Sequence, residues 1–345
     1  MSRAGLSALV LCLTAFQPSG IALGETCRMA KIGELHVTVT PHNEILVDGS
    51  IKDQPAKFQI DTGAGTTLFD VSIFSRFGIS NAGDQRRMQA LGGEVGGVYR
   101  AVPGLKFGNF VGDNLHFTVS DNHFLREGVY ALLGEDFLGS FDLDIDLAHE
   151  TITLFEHSAC SGEPVYWSQN FSEADLDIPN YRASGGAMFM MSKQILVKLE
   201  LNGTPFMAAF DTGSSRTMMT TRLTDRMGID ENTTGMEQVG TSHGIDGRPL
   251  PVYKYRFAEL HVGDEVIRNP VLHIVKSYAL KADTRQVHGI DIDRDFRPDA
   301  YIGVDFIKTH HIYIDLGHRK MYFTYNGGGI FSPPQDNSVA AREDK

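Results

Sequence analysis

Phe58-Gln59-Ile60-Asp61-Thr62-Gly63 and Met207-Ala208-Ala209-Phe210-Asp211-Thr212-Gly213 are the stretches that decide the fold, because each apolar run ends on the same tripeptide, Asp-Thr-Gly. A short apolar run closed by a glycine turn reads as a strand followed by a tight bend. The glycine lets the backbone turn sharply enough to aim the aspartate outward. A single Asp-Thr-Gly is weak, since Asp and Gly favour ordinary turns and one copy arises by chance in roughly one chain in ten of this length. Two copies, each after a strand, describe a site built from two facing carboxylates.

The flanks repeat as well. Ile45-Leu46-Val47 recurs as Ile195-Leu196-Val197, Pro55 as Pro205, and Arg76, Gly78 and Ile79 as Arg226, Gly228 and Ile229, at the offset of the two aspartates. At a slightly larger offset Leu105, Gly108 and Asn114 match Leu260, Gly263 and Asn269. At a larger one still, Gly134-Glu135-Asp136-Phe137 with Asp146-Leu147 and His149 matches Gly303-Val304-Asp305-Phe306 with Asp315-Leu316 and His318. The chain is a tandem duplication with insertions in its second copy.

The order strand, Asp-Thr-Gly, short helix, Gly-rich hairpin, then Leu132-Leu133-Gly134 or Tyr301-Ile302-Gly303 before a final strand, resembles the retropepsin-like aspartic proteases. In particular it is similar to the bacterial and gag-polyprotein-type aspartyl protease domains, fused here in pairs over roughly residues 35–323. The resemblance implies an all-β chain of two pepsin-like β-barrel lobes with short helices. It also implies an aspartic endopeptidase (hydrolase) in which Asp61 and Asp211 are catalytic and an extended peptide or protein is the substrate. One chain supplying both aspartates implies a monomer. Two neighbouring carboxylates share a proton, so one takes a proton from water as the other donates to the developing oxyanion, and no cofactor is needed.

Further roles follow from the same resemblance. Thr62, Gly63, Thr212, Gly213 and Ser214 support the dyad, the threonines by hydrogen bonding across the lobe interface. Gly92, Gly93, Gly96 and Gly97 of the first copy, and Gly240 and Gly244 of the second, occupy the position of flaps that close over substrate. Tyr99, after the first flap, is a substrate contact or a cross-strand packing residue. Ala64 follows the first motif and Ser214 the second. A serine hydroxyl donating to the outer oxygen of Asp211 would leave Asp211 the charge and Asp61 the proton. A peptide-binding pseudoprotease and an envelope-associated structural module remain open alternatives, though both Asp-Thr-Gly motifs are intact.

The 345 residues, 42% of them hydrophobic, suffice for two lobes with sizeable cores. A net charge of -12 and a pI near 5.5 argue against nucleic acid or an anionic membrane surface as partner. Met1-Ser2-Arg3, the apolar Ala4 to Phe16 and the small residues Ala22 to Gly24 read as a cleaved signal peptide, so the protein is expected to be exported, periplasmic or secreted. No later stretch is long and apolar enough for a membrane span. Cys27 and Cys160, the two cysteines left after cleavage, read as a disulfide, with two free thiols the alternative. No Cys or His cluster has metal-ligand spacing.

The expected organisation is a signal peptide over 1–24, lobes over 25–160 and 187–326, a connection without clear periodicity over 161–186, and a disordered tail over 327–345. Strands are expected at Leu35–Val39, Glu44–Val47 and Gln194–Leu199, and helices at Val71–Phe77 and Thr221–Met227, ending at Gly78 and Gly228. His149 and His318 are expected as turn residues and His310-His311 as structural, without a carboxylate partner at useful spacing. The charged insertion Lys276–Pro298 is expected as a surface loop, and the resemblance implies that it lies near the substrate cleft.

Overall fold

The computed structural model describes residues 29–89, 94–157, 165–178, 194–276 and 298–331. The chain is all-β, and among the described residues its α-helices are only four to six residues long. Each copy builds the same unit. In the first, Ile45–Ile51 and Gln54–Ile60 form a hairpin whose second strand ends at Asp61. Val129–Leu133 then runs parallel to Gln54–Ile60 and antiparallel to Leu68–Phe69. In the second, Leu196–Leu201 and Thr204–Phe210 form the hairpin, and Ala300–Ile302 runs parallel to Thr204–Phe210 and antiparallel to Met218–Thr220. Each aspartate strand is flanked on both sides, so its end is held firmly.

The helices are Ile73–Phe77 and Thr221–Arg226 after the aspartate turns, and Glu135–Leu138 and Val304–Ile307 after the Gly134 and Gly303 strands. Gly78 caps Ile73–Phe77 in the left-handed conformation at φ 60°, and Gly228 follows Thr221–Arg226 at φ 73°. That backbone disfavours residues with a Cβ and stops the helix where the sequence pattern predicts.

A third, antiparallel sheet joins the halves. Its order is Lys31–Val39, Thr151–Phe155, Asp142–Asp146, His310–Asp315, Lys320–Tyr325 and Ser172–Asp177, three strands from each copy. At its centre Asp144 lies opposite Tyr313, Leu143 opposite Ile314 and Ile145 opposite Ile312. Matching Asp146 with Asp315 makes Asp144 and Tyr313 equivalent positions, so the pseudo-twofold axis passes through that pair. Leu35, Ile145, Ile152, Ile312, Ile314 and Phe323 are buried there in one apolar core continuous with both lobes.

Ser172–Asp177 lies in the stretch expected as an aperiodic connection. It forms a strand that mirrors Lys31–Val39, pairing with the central sheet and then, through Leu176 and Asp177, with its own lobe. Only Ala174 and Leu176 point inward, too few to establish a period. Lys320 bonds Glu173 and Asp175, each at 3.0 Å, which offsets the charge on the outer face. Cys27, Cys160, the N-terminal segment, most of the insertion over 276–298 and most of the tail lie outside the described residues.

Candidate functional site

The two Asp-Thr-Gly turns meet at the lobe interface, locked by the threonines between them. Thr62 donates its hydroxyl to the Phe210 carbonyl at 2.7 Å and accepts from the Thr212 amide at 3.1 Å. Thr212 returns both bonds, donating to the Ile60 carbonyl at 2.9 Å and accepting from the Thr62 amide at 3.0 Å. Both threonines are fully buried, where unpaired polar groups cost about 1–3 kcal/mol each. The reciprocal set fixes one turn against the other.

Within each turn the backbone cradles its carboxylate. Asp61 Oδ1 accepts from the Gly63 and Ala64 amides at 2.9 and 3.0 Å, and Asp211 Oδ1 from the Gly213 and Ser214 amides at 2.9 and 3.0 Å. The carboxyl groups lie close enough for each to influence the other's ionisation. The glycines make that approach possible. A Cβ on Gly213 would lie no farther than 2.5 Å from any atom of the Asp61 carboxyl, and one on Gly63 no farther than 2.7 Å from any atom of the Asp211 carboxyl.

Electrostatically the site favours a retained proton. Burial pushes Asp61 up to about 6 against the pull of its two amide bonds. Burial and the Asp61 charge push Asp211 well above the ordinary carboxylate value. Two neighbouring, largely desolvated carboxylates cannot both ionise cheaply, so the pair holds one proton over a wide range.

Ser214 departs from the expectation. Its amide supports Asp211, as the Ala64 amide supports Asp61, but its hydroxyl donates to the Arg216 carbonyl at 2.8 Å. The hydroxyl is spent on the local turn, so the two carboxylates receive the same donors. The asymmetric assignment of charge to Asp211 and proton to Asp61 loses its basis.

Several supporting residues were not singled out from the sequence. Thr67 donates its amide and hydroxyl to Asp136 at 2.8 and 2.7 Å, and Thr217 donates the same two groups to Asp305, both at 2.7 Å. The Gly134 and Gly303 amides donate back to those threonine hydroxyls at 3.1 and 3.0 Å. A Cβ on Gly134 would lie 2.7 Å from the Ala64 carbonyl oxygen, and one on Gly303 lies 2.8 Å from that of Ser214. Each Gly-x-Asp segment therefore packs directly beneath a dyad turn. The signal was present, since Thr67 and Thr217 recur with the same spacing as the aspartates. Across the interface, Gln194 donates to the Gly63 carbonyl at 3.1 Å, and Asn43 donates to the Ser215 carbonyl at 2.9 Å. These residues do not repeat between copies and left no sequence signal.

The glycine-rich hairpins form as expected. Asp84–Gln89 pairs with Glu94–Val102, and Glu237–His243 with Pro249–Arg256. Gly92 and Gly93 lie outside the described residues. Gly97 is buried, and a Cβ there would lie 2.5 Å from the Val119 carbonyl, so this glycine serves close strand packing. Gly240 sits at φ 149° in a bulge where the register slips, and Gly244 accepts from the Gly247 amide at 2.9 Å in the tip turn. Tyr99 is partly exposed at the root of its hairpin, with Arg86 stacked 4.9 Å above its ring.

His149 and His318 close turns onto Asp146 and Asp315 at 2.6 and 2.8 Å, as expected. His310 and His311 do meet carboxylates in space: His310 meets Glu265 at 3.1 Å and His311 meets Asp144 at 2.6 Å. Both carboxylates come from distant strands, where spacing along the chain is uninformative. Trp167 stacks on His311 at 3.7 Å between ring centroids.

The comparisons agree with this geometry. No curated protein matches the chain. The family model described as aspartyl protease matches twice, over residues 47–137 and 197–306, each match containing one Asp-Thr-Gly turn and the Gly-x-Asp segment beneath it. The duplicated unit, the paired turns and both matches make this chain a member of the aspartyl protease family.

Proposed function

We propose that the protein is an exported aspartic endopeptidase that hydrolyses peptide bonds with a water activated by Asp61 and Asp211. The observation that carries this reading is the close approach of a buried and a half-buried carboxyl, each held by two backbone amides and locked through the Thr62–Thr212 bonds. The ionised carboxylate accepts a proton from water as the oxygen attacks the peptide carbon, and the protonated partner donates to the carbonyl oxygen. Proton transfer to the amine then releases the two fragments and restores the shared proton. Because both groups are preorganised and desolvated, little reorganisation accompanies the reaction. The hairpins on either side cover an extended substrate and exclude bulk water. Export is supported by the N-terminal charge, apolar run and small-residue site, and by the cysteine pair.

The test is incubation of the mature chain with denatured casein between pH 3 and 8, with and without a hydroxyl-containing peptide mimic of the tetrahedral intermediate. Cleavage suppressed by the mimic supports the proposal. Binding of the mimic with no cleavage at any pH refutes it in favour of a peptide-binding pseudoprotease.

A further inference from the structure

Beside the dyad the two lobes differ in charge. In the second lobe a row of half-buried side chains crosses the sheet on the face opposite the main core, where its member Met218 packs against a small cluster of Leu250, Val252 and Val275. Tyr301 lies level with Met218, Met218 with His273, and His273 with Lys254. The neighbours Ile302, Met219, Leu272 and Ile274 are in the apolar core, which puts the row on the opposite face. The row starts next to Asp211, whose amide bonds the Ile302 carbonyl at 3.0 Å, and ends on the strand that forms the hairpin. A peptide lying between dyad and hairpin would run along this row.

Arg216, five residues after Asp211, reaches this face and lies 3.1 Å from His273 Nε2. A guanidinium only donates, so His273 accepts at Nε2 and is neutral. Burial and the nearby Arg216 and Lys254 charges depress His273 to about 4, so it stays neutral near physiological pH. The contact orients Arg216 without cancelling its charge. Lys254 is paired with Glu237 at 2.8 Å, whereas no carboxylate among the described residues lies within ion-pair distance of Arg216. In the first lobe the equivalent row is Leu132, Leu68, Thr118 and Tyr99, and Thr66 stands where Arg216 does. There Arg86 lies over the Tyr99 ring.

We propose that Arg216 is a specificity determinant that selects substrates with an Asp or Glu side chain near the scissile bond, on the second-lobe side of the cleft. The inference rests on the endopeptidase reading. His273 holds one edge of the guanidinium, and the remaining N–H groups match a carboxylate in paired geometry. In a chain of net charge -12, a fixed cation with no acidic partner among the described residues at this place selects for charge; general attraction of anions does not explain it.

The test uses matched peptides that differ only by Glu or Gln at successive positions around one cleavage site. The wild-type protein is expected to favour Glu at one position by about 10-fold in kcat/KM, the size of one charge-assisted hydrogen bond. Arg216→Met brings that ratio near one, and Arg216→Glu inverts it to favour Lys, with circular dichroism verifying the fold of each. A parallel arm measures binding of the same peptides to the Asp61→Asn protein, which reads selectivity without turnover. A Glu preference in binding with no cleavage by the wild type retains Arg216 and refutes the endopeptidase reading. Cleavage without Glu/Gln discrimination at any position, or a ratio unchanged in Arg216→Met, overturns the role of Arg216.

Discussion

Adding one methyl group at Gly213 should disable the site while leaving the fold standing. A Cβ there lies no farther than 2.5 Å from any of the three atoms of the Asp61 carboxyl, whereas ordinary contact begins at 3.4 Å. Something must yield by about 1 Å. The Gly213 backbone resists, because its amide holds Asp211 Oδ1 at 2.9 Å. The Asp61 carboxyl therefore moves and gives up its bonds from Gly63 and Ala64 at 2.9 and 3.0 Å. A misplacement of about 1 Å at a reacting group costs on the order of 10²-fold in rate, and overpacking a tight site costs about 1–3 kcal/mol in stability. Gly213→Ala should thus lose about two orders of magnitude in kcat on a short fluorogenic peptide, with KM changed far less. Its urea midpoint should shift only modestly. Gly203→Ala is the control: its φ of 80° strains any side chain, but open space surrounds the site and the dyad is distant. It should lose about 1 kcal/mol of stability and keep its kcat. Gly213→Ala turning over within threefold of wild type would refute the claim that the glycine exists to let the carboxyls touch.

Thr62→Val removes one hydroxyl that donates to Phe210 and accepts from Thr212, leaving two buried groups unpaired. A loss of about 2–5 kcal/mol is expected in denaturant titration, and a loss below about 1 kcal/mol would deny the interlobe lock its importance. Because burial raises both dyad carboxyls, with Asp61 at about 6, activity should peak nearer neutral than pH 4. A pH-rate profile with its maximum below pH 4 would contradict this. The same shift makes the folded state bind protons more tightly than the unfolded chain, so stability falls as pH rises from about 4 through about 6. Asp61→Asn should remove part of that fall in thermal melts. Asp305, also pushed up to about 6 by burial, supplies another part, and an identical pH dependence in the variant would count against the assignment. Ser214→Ala should leave both limbs of the pH-rate profile in place, since its hydroxyl serves Arg216, and a displaced limb would restore the asymmetric dyad.

The fold was legible because duplication writes each structural requirement twice. Asp-Thr-Gly, Gly78 with Gly228, and Gly134 with Gly303 recur because the same turn, helix end and close packing occur in both lobes. The threonine lock was expected through the family resemblance, and its four bonds lie where that resemblance implies. What stayed hidden were contacts made between copies. Asn43 and Gln194 each reach a carbonyl of the opposite lobe, and His311 finds Asp144 across the central sheet. None of these is periodic or repeated. Ser172–Asp177 was missed because only two of its side chains are apolar and inward. The Ser214 expectation failed for another reason: a hydroxyl next to a carboxylate in sequence had a nearer acceptor in the turn's own backbone.

The central claim is that Asp61 and Asp211 act as one proton-sharing unit, and the most direct measurement is kcat of Asp61→Asn and Asp211→Asn beside wild type on one neutral peptide. Asn is nearly isosteric but cannot exchange the proton. Each variant should fold, with circular dichroism matching wild type, and each should lose at least about 10³-fold in kcat. Near-wild-type turnover by either folded variant would contradict the account.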